Sequence, residues 1–357
     1  MRSGSGFTSK RRRASVRAMV QNDHEERERP ETQERPETQE QPETQERPET
    51  QERRETQERP ETRGQRWYRY LSCLRYREIF VLQGAPLLGA AFGIETTAPA
   101  WPARLAVFAA AGVLLVAHVF VLNDWAGMKG DLNDPNKAAT VFAAKGVTRP
   151  QIGRLAAALL AASLVLFAGL GMQTLALAAA IAGLSFLYSF PIAPTAPAKG
   201  MPLLGTVAHL VGGALHFLLG YAAFHPIAPS GPRALILASF FGLVFAAGHL
   251  NQEVRDCEGD RRNGIRTNAV IFGPTATFLA GLAIFTLAYS ELVLLAARGV
   301  VPSALEVVAV LYPLHLYWSI QTLFRGLTFA SIRRLQARYR ILFAIIGAAM
   351  LASRIFA

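Results

Sequence analysis

Residues 122–137 read LNDWAGMKGDLNDPNK, directly after some twenty apolar residues, and a second acid-rich stretch, NQEVRDCEGD, occupies 251–260 after another apolar run. Residues 65–357 contain only 11 acidic side chains, and seven of them fall in these two stretches: Asp124, Asp131, Asp134, Glu253, Asp256, Glu258 and Asp260. Carboxylates beside a membrane are costly unless they are paired, hydrated or bound to a cation, and clustering them adds repulsion. A divalent ion relieves that repulsion, and oxygen ligands suit magnesium. The spacing fits such a use. Asn123, position 127 and Asp131 are four apart and share one helical face. Asp256 and Asp260 repeat the interval, with Glu253 three residues earlier. Lys137 and Lys145 follow the first set, while Arg255, Arg261, Arg262 and Arg266 surround the second. Carboxylates alone point to cation binding; carboxylates, metal and a ring of Lys and Arg point to a bound diphosphate. The plainer alternative is two polar loops, charged because loops are. A calcium loop at DLNDPNK lacks the alternating ligands and the terminal glutamate.

The elements that must position these residues are apolar blocks of about 20 residues, the length that crosses a hydrocarbon core. Nine are expected, near 79–95, 104–124, 151–171, 174–194, 203–223, 234–254, 274–297, 301–320 and 338–356. The expected fold is therefore all-α, a multi-pass membrane bundle of about nine helices. Gly and Ala fill these spans, which lets membrane helices approach closely. Basic residues gather in every second connection, for example Arg75 and Arg77, then Lys137 and Lys145, then Lys199, then Arg255 and Arg262, then Arg333 and Arg334. The alternate connections hold only Arg104, Arg233 and Arg298. This bias predicts a cytoplasmic N-terminus and places both acidic segments on the cytoplasmic face.

The chain divides at residue 64. Residues 1–64 carry 14 basic and 15 acidic residues, leaving 23 basic and 11 acidic for 65–357. From Arg29 to Gly64 a six-residue unit of the type RPETQE recurs six times. Its prolines break helices and nothing in it builds a core, so 1–64 is expected to be a disordered tail. SKRRRASVRAMV lacks the apolar stretch of a cleaved signal peptide, and Met19 offers an alternative start. Two cysteines, Cys73 and Cys257, without a CxxC or HExxH pattern, point away from a disulfide framework and a structural zinc site. His118, His209, His216 and His249 lie within apolar spans. Helix-to-helix hydrogen bonding accounts for them in the plainer reading; His249, one turn before Glu253, is the best candidate for contact with a substrate or for accepting a proton.

At these residues the chain resembles the UbiA-type intramembrane prenyltransferases. That family has an Asn-x-x-x-Asp-x-x-x-Asp motif after its second helix and an Asp-x-x-x-Asp motif after its sixth. NDWAGMKGD (123–131) and RDCEGDRRNGIRTNAVIFG (255–273) are similar to them. FAAKGVT (142–148) resembles the Ser-Gly-basic segment that follows the first motif, and YSFPIAPTAPAKG (188–200) the Tyr-Ser-Pro…Lys segment after helix four. The resemblance spans about 75–357. It implies that the membrane domain (65–357), which follows the tail (1–64), is a Mg²⁺-dependent enzyme. The donor would be an isoprenoid diphosphate and the acceptor hydrophobic and aromatic, of quinone- or pigment-precursor type, within lipid; no nucleic-acid partner is expected. NDW followed by NDP is similar to the chlorophyll-synthase branch, and Lys-Gly-Asp to the naphthoate branch.

By resemblance, Asn123, Asp131, Asp256 and Asp260 hold the metal, with Asp124, Asp131, Asp256 and Asp260 as the catalytic carboxylates. Lys137, Lys145, Lys199, Arg255 and Arg262 bind the diphosphate, and Tyr188, His249 and Glu253 contact substrate. Phe186, Tyr188 and Phe245 offer π-faces to an allylic cation. Gly127 departs from the pattern, standing where the family has its middle aspartate. Either a ligand is missing or Asp124 substitutes from the next face. Two rivals stay open: a terpene cyclase on the same scaffold, acting without an acceptor, and a transporter or silent lipid-binding protein. Against transport, the acids gather at one face and not at the midplane.

Overall fold

The computed structural model describes residues 62–95, 100–191, 197–227 and 232–355. Residues 1–61, with the segment SKRRRASVRAMV, Met19 and all but the last three residues of the repeat, lie outside the described residues, as does most of the proline-rich stretch before Lys199. Among the described residues there is no strand. Eight helical segments among the described residues are long and apolar enough to cross a membrane, against the nine expected. The protein is an integral, multi-pass membrane protein.

The first described helix, α1 (Arg63–Leu71), begins inside the last repeat unit, where Thr62 and Gln65 form a capping box. The first expected span is instead two short helices, α2 (Tyr76–Leu82) and α3 (Gly84–Gly93), joined at Gln83. Helix α3 lies against α7 (Leu204–Ala222) with almost no separation. A Cβ on Gly89 would stand 2.0 Å from the Phe217 carbonyl oxygen, and one on Gly220 would stand 1.8 Å from that of Pro86. Glycine is obligatory at this crossing because backbone meets backbone.

Two helices carry the acidic segments, α4 (Trp101–Asn133) and α8 (Arg233–Arg262). At 1.5 Å per residue they are about 50 and 45 Å long, while the hydrocarbon core is only ~30 Å thick. The excess, roughly 13 residues of α4 and 10 of α8 by that rise, coincides with the acid-bearing ends. Hydropathy ends the expected spans near 124 and 254, but the helices run on to 133 and 262.

Between and after them come α5 (Arg149–Leu170), α6 (Met172–Ser189), α9 (Asn268–Ile271), α10 (Pro274–Ala297), α11 (Tyr312–Arg325) and α12 (Phe329–Ile355). A 3₁₀ segment, Ser303–Leu311, leads into α11. The largest apolar core joins α3, α7, α8, α10 and α12, with Phe217, Leu237 and Leu292 fully buried. Arg104 of α4 donates to the carbonyls of Leu170 and Ala223, answering orphan groups at the ends of α5 and α7. His118 bonds the Ala156 carbonyl at 2.8 Å, which is helix-to-helix bonding of the plainer kind. Both cysteines are free and buried.

Candidate active site

The projecting ends of α4 and α8 meet. Asn263, which caps α8, donates from Nδ2 to the carbonyl oxygens of Gly130 and Gly259, both at 3.0 Å, and so stitches the two helix ends together. Asp134, which caps α4, buries its carboxylate against Gly259, where a Cβ would come within 2.5 Å of Oδ2. Beneath this junction lies a cavity of about 850 Å³. Its polar end is lined by Arg75, Asn123, Asp131, Lys137, Lys199, Arg255, Asp256 and Asp260. Its remainder is largely apolar, with Phe80, Val119, Phe241, Phe245, Phe285 and Phe343 in the wall.

Lys137 occupies the centre of the polar end. Its Nζ is 3.0 Å from Asp256 Oδ2, 3.8 Å from Asp134 Oδ2 and 3.9 Å from Asp131 Oδ1. Burial opposes its charge, but Asp256, with Asp131 and Asp260, outweighs burial and holds the ammonium above the usual lysine range. Arg255 grips the other side of Asp256, from Nε at 2.7 Å and Nη2 at 2.9 Å, and is itself held by Gln336 at 3.1 Å. Lys199 reaches in from the 3₁₀ turn Ala198–Gly200. Burial moves its pKa below the usual lysine value, against the opposing pull of Asp131 and Asp260.

Deeper in the cavity the side chains change character. The rings of His209 and His249 stack with centroids 3.8 Å apart, and Tyr188 meets His209 edge-on at 5.0 Å. His249 Nε2 lies 3.0 Å from Glu253 Oε1, off the direction of a hydrogen bond. Gly205 makes this possible, since a Cβ there would stand 3.0 Å from His249 Nε2. Glu253 is buried; its Oε1 accepts from Asn268 Nδ2 at 3.2 Å, and its Oε2 has no hydrogen-bond partner. Asn268 also accepts from the Leu203 backbone N–H at 2.8 Å, where Leu203 adopts a left-handed φ of 67°. That bond offsets the strain of turning the chain into α7.

Of the residues singled out in the sequence, Asn123, Asp131, Lys137, Tyr188, Lys199, His249, Glu253, Arg255, Asp256 and Asp260 converge on the cavity. Asp124, Lys145 and Arg262 stand apart from it. Asp124 points to the next face of α4 and is gripped by Arg75, whose Nη2 bonds Oδ1 and whose Nε bonds Oδ2 at 3.1 Å. Lys145 donates to the Ser72 carbonyl. Arg262 is exposed and pairs with Glu258 at 3.1 Å. Phe186 faces outward against Phe190, whereas Phe245 lines the cavity. Arg75, His209, Asn263 and Asn268 contribute without having been assigned to the site. The visible signals were a basic residue before the first span, a histidine at the helical interval and two asparagines after the second acidic segment.

Among the described residues, no three His, Cys, Asp or Glu side chains stand close enough to hold one metal ion by themselves. That donor set still fits magnesium, which keeps several waters and takes one or two carboxylates together with substrate phosphates. The Lys137 ammonium, placed among three carboxylates, marks the position as one that takes positive charge.

Comparison with known proteins places the fold. Residues 85–339 match the UbiA prenyltransferase family model. A UbiA homologue from Archaeoglobus fulgidus, solved with GPP and Mg²⁺, superimposes with a TM-score of 0.61 at 16% identity, covering 80% of this chain and 99% of that one. A digeranylgeranylglyceryl phosphate synthase gives 0.59 at 18% identity, covering 82% and 99%. A UbiA homologue from Aeropyrum pernix K1 gives 0.58 at 21% identity, covering 78% and 98%. No curated protein matches the chain in sequence. The structural likenesses show a shared fold, and the family model spans most of the membrane region. The chain belongs to the UbiA prenyltransferase family.

Proposed function

We propose that the protein transfers a prenyl group from an isoprenoid diphosphate to a hydrophobic, aromatic acceptor inside the membrane. One observation carries this reading: a single cavity joins a polar end of carboxylates and ammonium or guanidinium groups to a long apolar wall. The diphosphate sits at the polar end, where Lys199 and Arg75 meet its oxygens. The isoprenoid lies along Phe241, Phe245 and Phe285. Asn123, Asp131, Asp256 and Asp260 would hold magnesium, which when bound draws negative charge off the leaving diphosphate. The related A. fulgidus structures, with GPP or DMAPP and Mg²⁺, support this choice of donor and ion.

The chain's own groups then act as follows. Lys137 and Lys199 stabilise the diphosphate as the C–O bond breaks and its electron pair leaves with oxygen. Tyr188 and Phe245 present π-faces to the allylic cation. The apolar wall excludes water, which would otherwise capture the cation. The acceptor carbon attacks, and its proton passes to the Glu253–His249 pair. The apolar end takes the lipid-soluble parts of both substrates, and the Lys and Arg bias of the loops supports a cytoplasmic N-terminus and site. We assign residues 65–357 to catalysis and 1–64 to a tail.

The test is magnesium-dependent diphosphate release by the purified full chain, with geranyl, farnesyl and geranylgeranyl diphosphate, each with and without aromatic acceptors. Asp256→Ala is the control. Acceptor-dependent prenyl product supports transfer. Hydrocarbon formed from donor alone would move the protein to cyclisation. Release that Asp256→Ala leaves untouched would remove the site assignment.

A further inference from the structure

Position 127 lies on the metal-facing stripe of α4, one turn from Asn123 and one turn from Asp131, and it carries no side chain. The neighbouring acid does not fill in. Asp124 sits on the adjacent face with both carboxylate oxygens committed to Arg75. A lysine stands there instead. A Cβ built on Gly127 meets Asp131 Oδ2 at 3.4 Å and Lys199 Nζ at 3.7 Å, both ordinary contacts. The vacant space beside Asp131 thus borders an ammonium group. Lys199 forms no ion pair with a carboxylate among the described residues, so its charge is available to a ligand. On the α8 side Asp256 and Asp260 both line the cavity; Arg255 and Lys137 hold Asp256, and Asp260 forms no ion pair among the described residues.

We infer that this site works with a single divalent ion, held on the Asp256–Asp260 side, and that the Lys199 ammonium beside Gly127 supplies the positive charge on the α4 side. The inference rests on the donor-site reading above and narrows its magnesium ligands to the α8 pair, Asp256 and Asp260. Its physical basis is ligand count. A magnesium ion is anchored by carboxylates before phosphates complete its shell. The α4 stripe offers one carboxylate, Asp131, already within reach of Lys137 and adjacent to Lys199. A second ion there would have one acidic anchor and an ammonium neighbour repelling it. An ammonium contacts phosphate oxygens as a point charge with no metal in between.

The experiment counts metal directly. Full-length protein in detergent is titrated with Mn²⁺ in the presence of an unreactive prenyl thiolodiphosphate, and free Mn²⁺ is read by electron paramagnetic resonance. One tight Mn²⁺ per chain is expected for the wild type and two for Gly127→Asp, whose new carboxylate has room to enter. Two in the wild type would overturn the inference, as would one in both proteins. No tight Mn²⁺ in either would remove the donor-site reading, and this inference with it. Lys199→Gln gives a second readout if Gly127→Asp folds poorly. With all divalent ions chelated, wild-type chain should still bind the thiolodiphosphate, and Lys199→Gln should weaken that binding at least tenfold. Equal metal-free binding by the two would contradict the role given to Lys199.

Discussion

Lys137 Nζ lies 3.0 Å from Asp256 Oδ2, joining the loop after α4 to α8 across the mouth of the cavity. The same ammonium stands near Asp131 and Asp134, so it neutralises carboxylates drawn from both acidic segments. Replacing it by glutamine leaves those acids facing each other. A hydrogen bond to a charged group contributes about 1.5–3 kcal/mol, so Lys137→Gln should lower unfolding stability by that order. Added Mg²⁺ should then raise the Tm of the variant more than that of wild type, because the cation replaces the missing charge. Thermal unfolding in detergent with and without Mg²⁺ measures this. An equal Mg²⁺ effect on both would separate Lys137 from the cation site.

Asn263 is the structural counterpart of that electrostatic link. Its amide donates to Gly130 and Gly259 and so fixes the distance between the helices that carry the acids. Asn263→Ala removes both bonds, at about 1 kcal/mol each. The expected outcome is a protein that still folds, with a lowered Tm and with donor affinity weakened by loosened acid positions. Unchanged affinity, measured by titration with a thiolodiphosphate analogue, would show that the helix ends keep their separation by packing alone.

How much of this was legible follows from which forces are local. The acid-bearing face was readable because Asp256 and Asp260, four residues apart, must share a helical stripe wherever the helix goes. Hydropathy ends each span with the hydrocarbon, whereas the four-residue spacing of the acids carries the helix beyond it, and α4 and α8 do run on to Asn133 and Arg262. Asp124 was ambiguous because its partner Arg75 is 49 residues away and no spacing rule reaches it. Charge and the likeness of FAAKGVT to a family segment both put Lys145 at the site, but it satisfies the Ser72 carbonyl. The first span split at Gln83, where hydropathy registers no break in an apolar run. Asn268 shows in the sequence only as an asparagine after the second acidic segment; its role appears only once Glu253 is buried and needs a donor.

The α3–α7 crossing makes a packing prediction independent of chemistry. Gly220→Ala would force a methyl group to within 1.8 Å of the Pro86 carbonyl oxygen. Backbone cannot give way as a side chain does, so the helices must separate and the adjoining core around Phe217 opens. Gly169→Ala, with nothing within 4 Å of its Cβ, is the matched control. Monodisperse protein should be recovered for Gly169→Ala and largely lost for Gly220→Ala, as size-exclusion profiles would show. Normal recovery of Gly220→Ala would contradict the close approach.

Glu253 and His249 should divide the reaction into its two halves. They sit one to two helical turns deeper than Asp256, roughly 5–10 Å by the helical rise, away from the diphosphate end. Glu253→Gln keeps an oxygen for Asn268 but removes the negative charge beside His249. Acceptor-dependent prenylation should fall by about 10²-fold, the typical worth of a positioned base. Diphosphate release without acceptor should hardly change. An equal fall in both would assign Glu253 to the fold, not to proton removal.

Lys199 predicts opposite pH responses for binding and for stability. Burial places its pKa below the ordinary value of 10.5 in the folded, donor-free protein. The folded state therefore loses this proton before the unfolded state does. Unfolding takes a proton up across that window, so the Lys199 contribution to stability rises with pH between the depressed value and 10.5. Donor affinity moves the other way, because a neutral amine no longer attracts the diphosphate. Lys199→Arg stays charged throughout, since guanidinium titrates above pH 12. Relative to that variant, wild type should lose donor affinity as pH climbs into the alkaline range, while its donor-free Tm gains. Binding titrations and thermal unfolding across pH 7–10 decide the matter; parallel pH profiles for wild type and Lys199→Arg would mean that Lys199 keeps an ordinary charge and that burial does not disturb it.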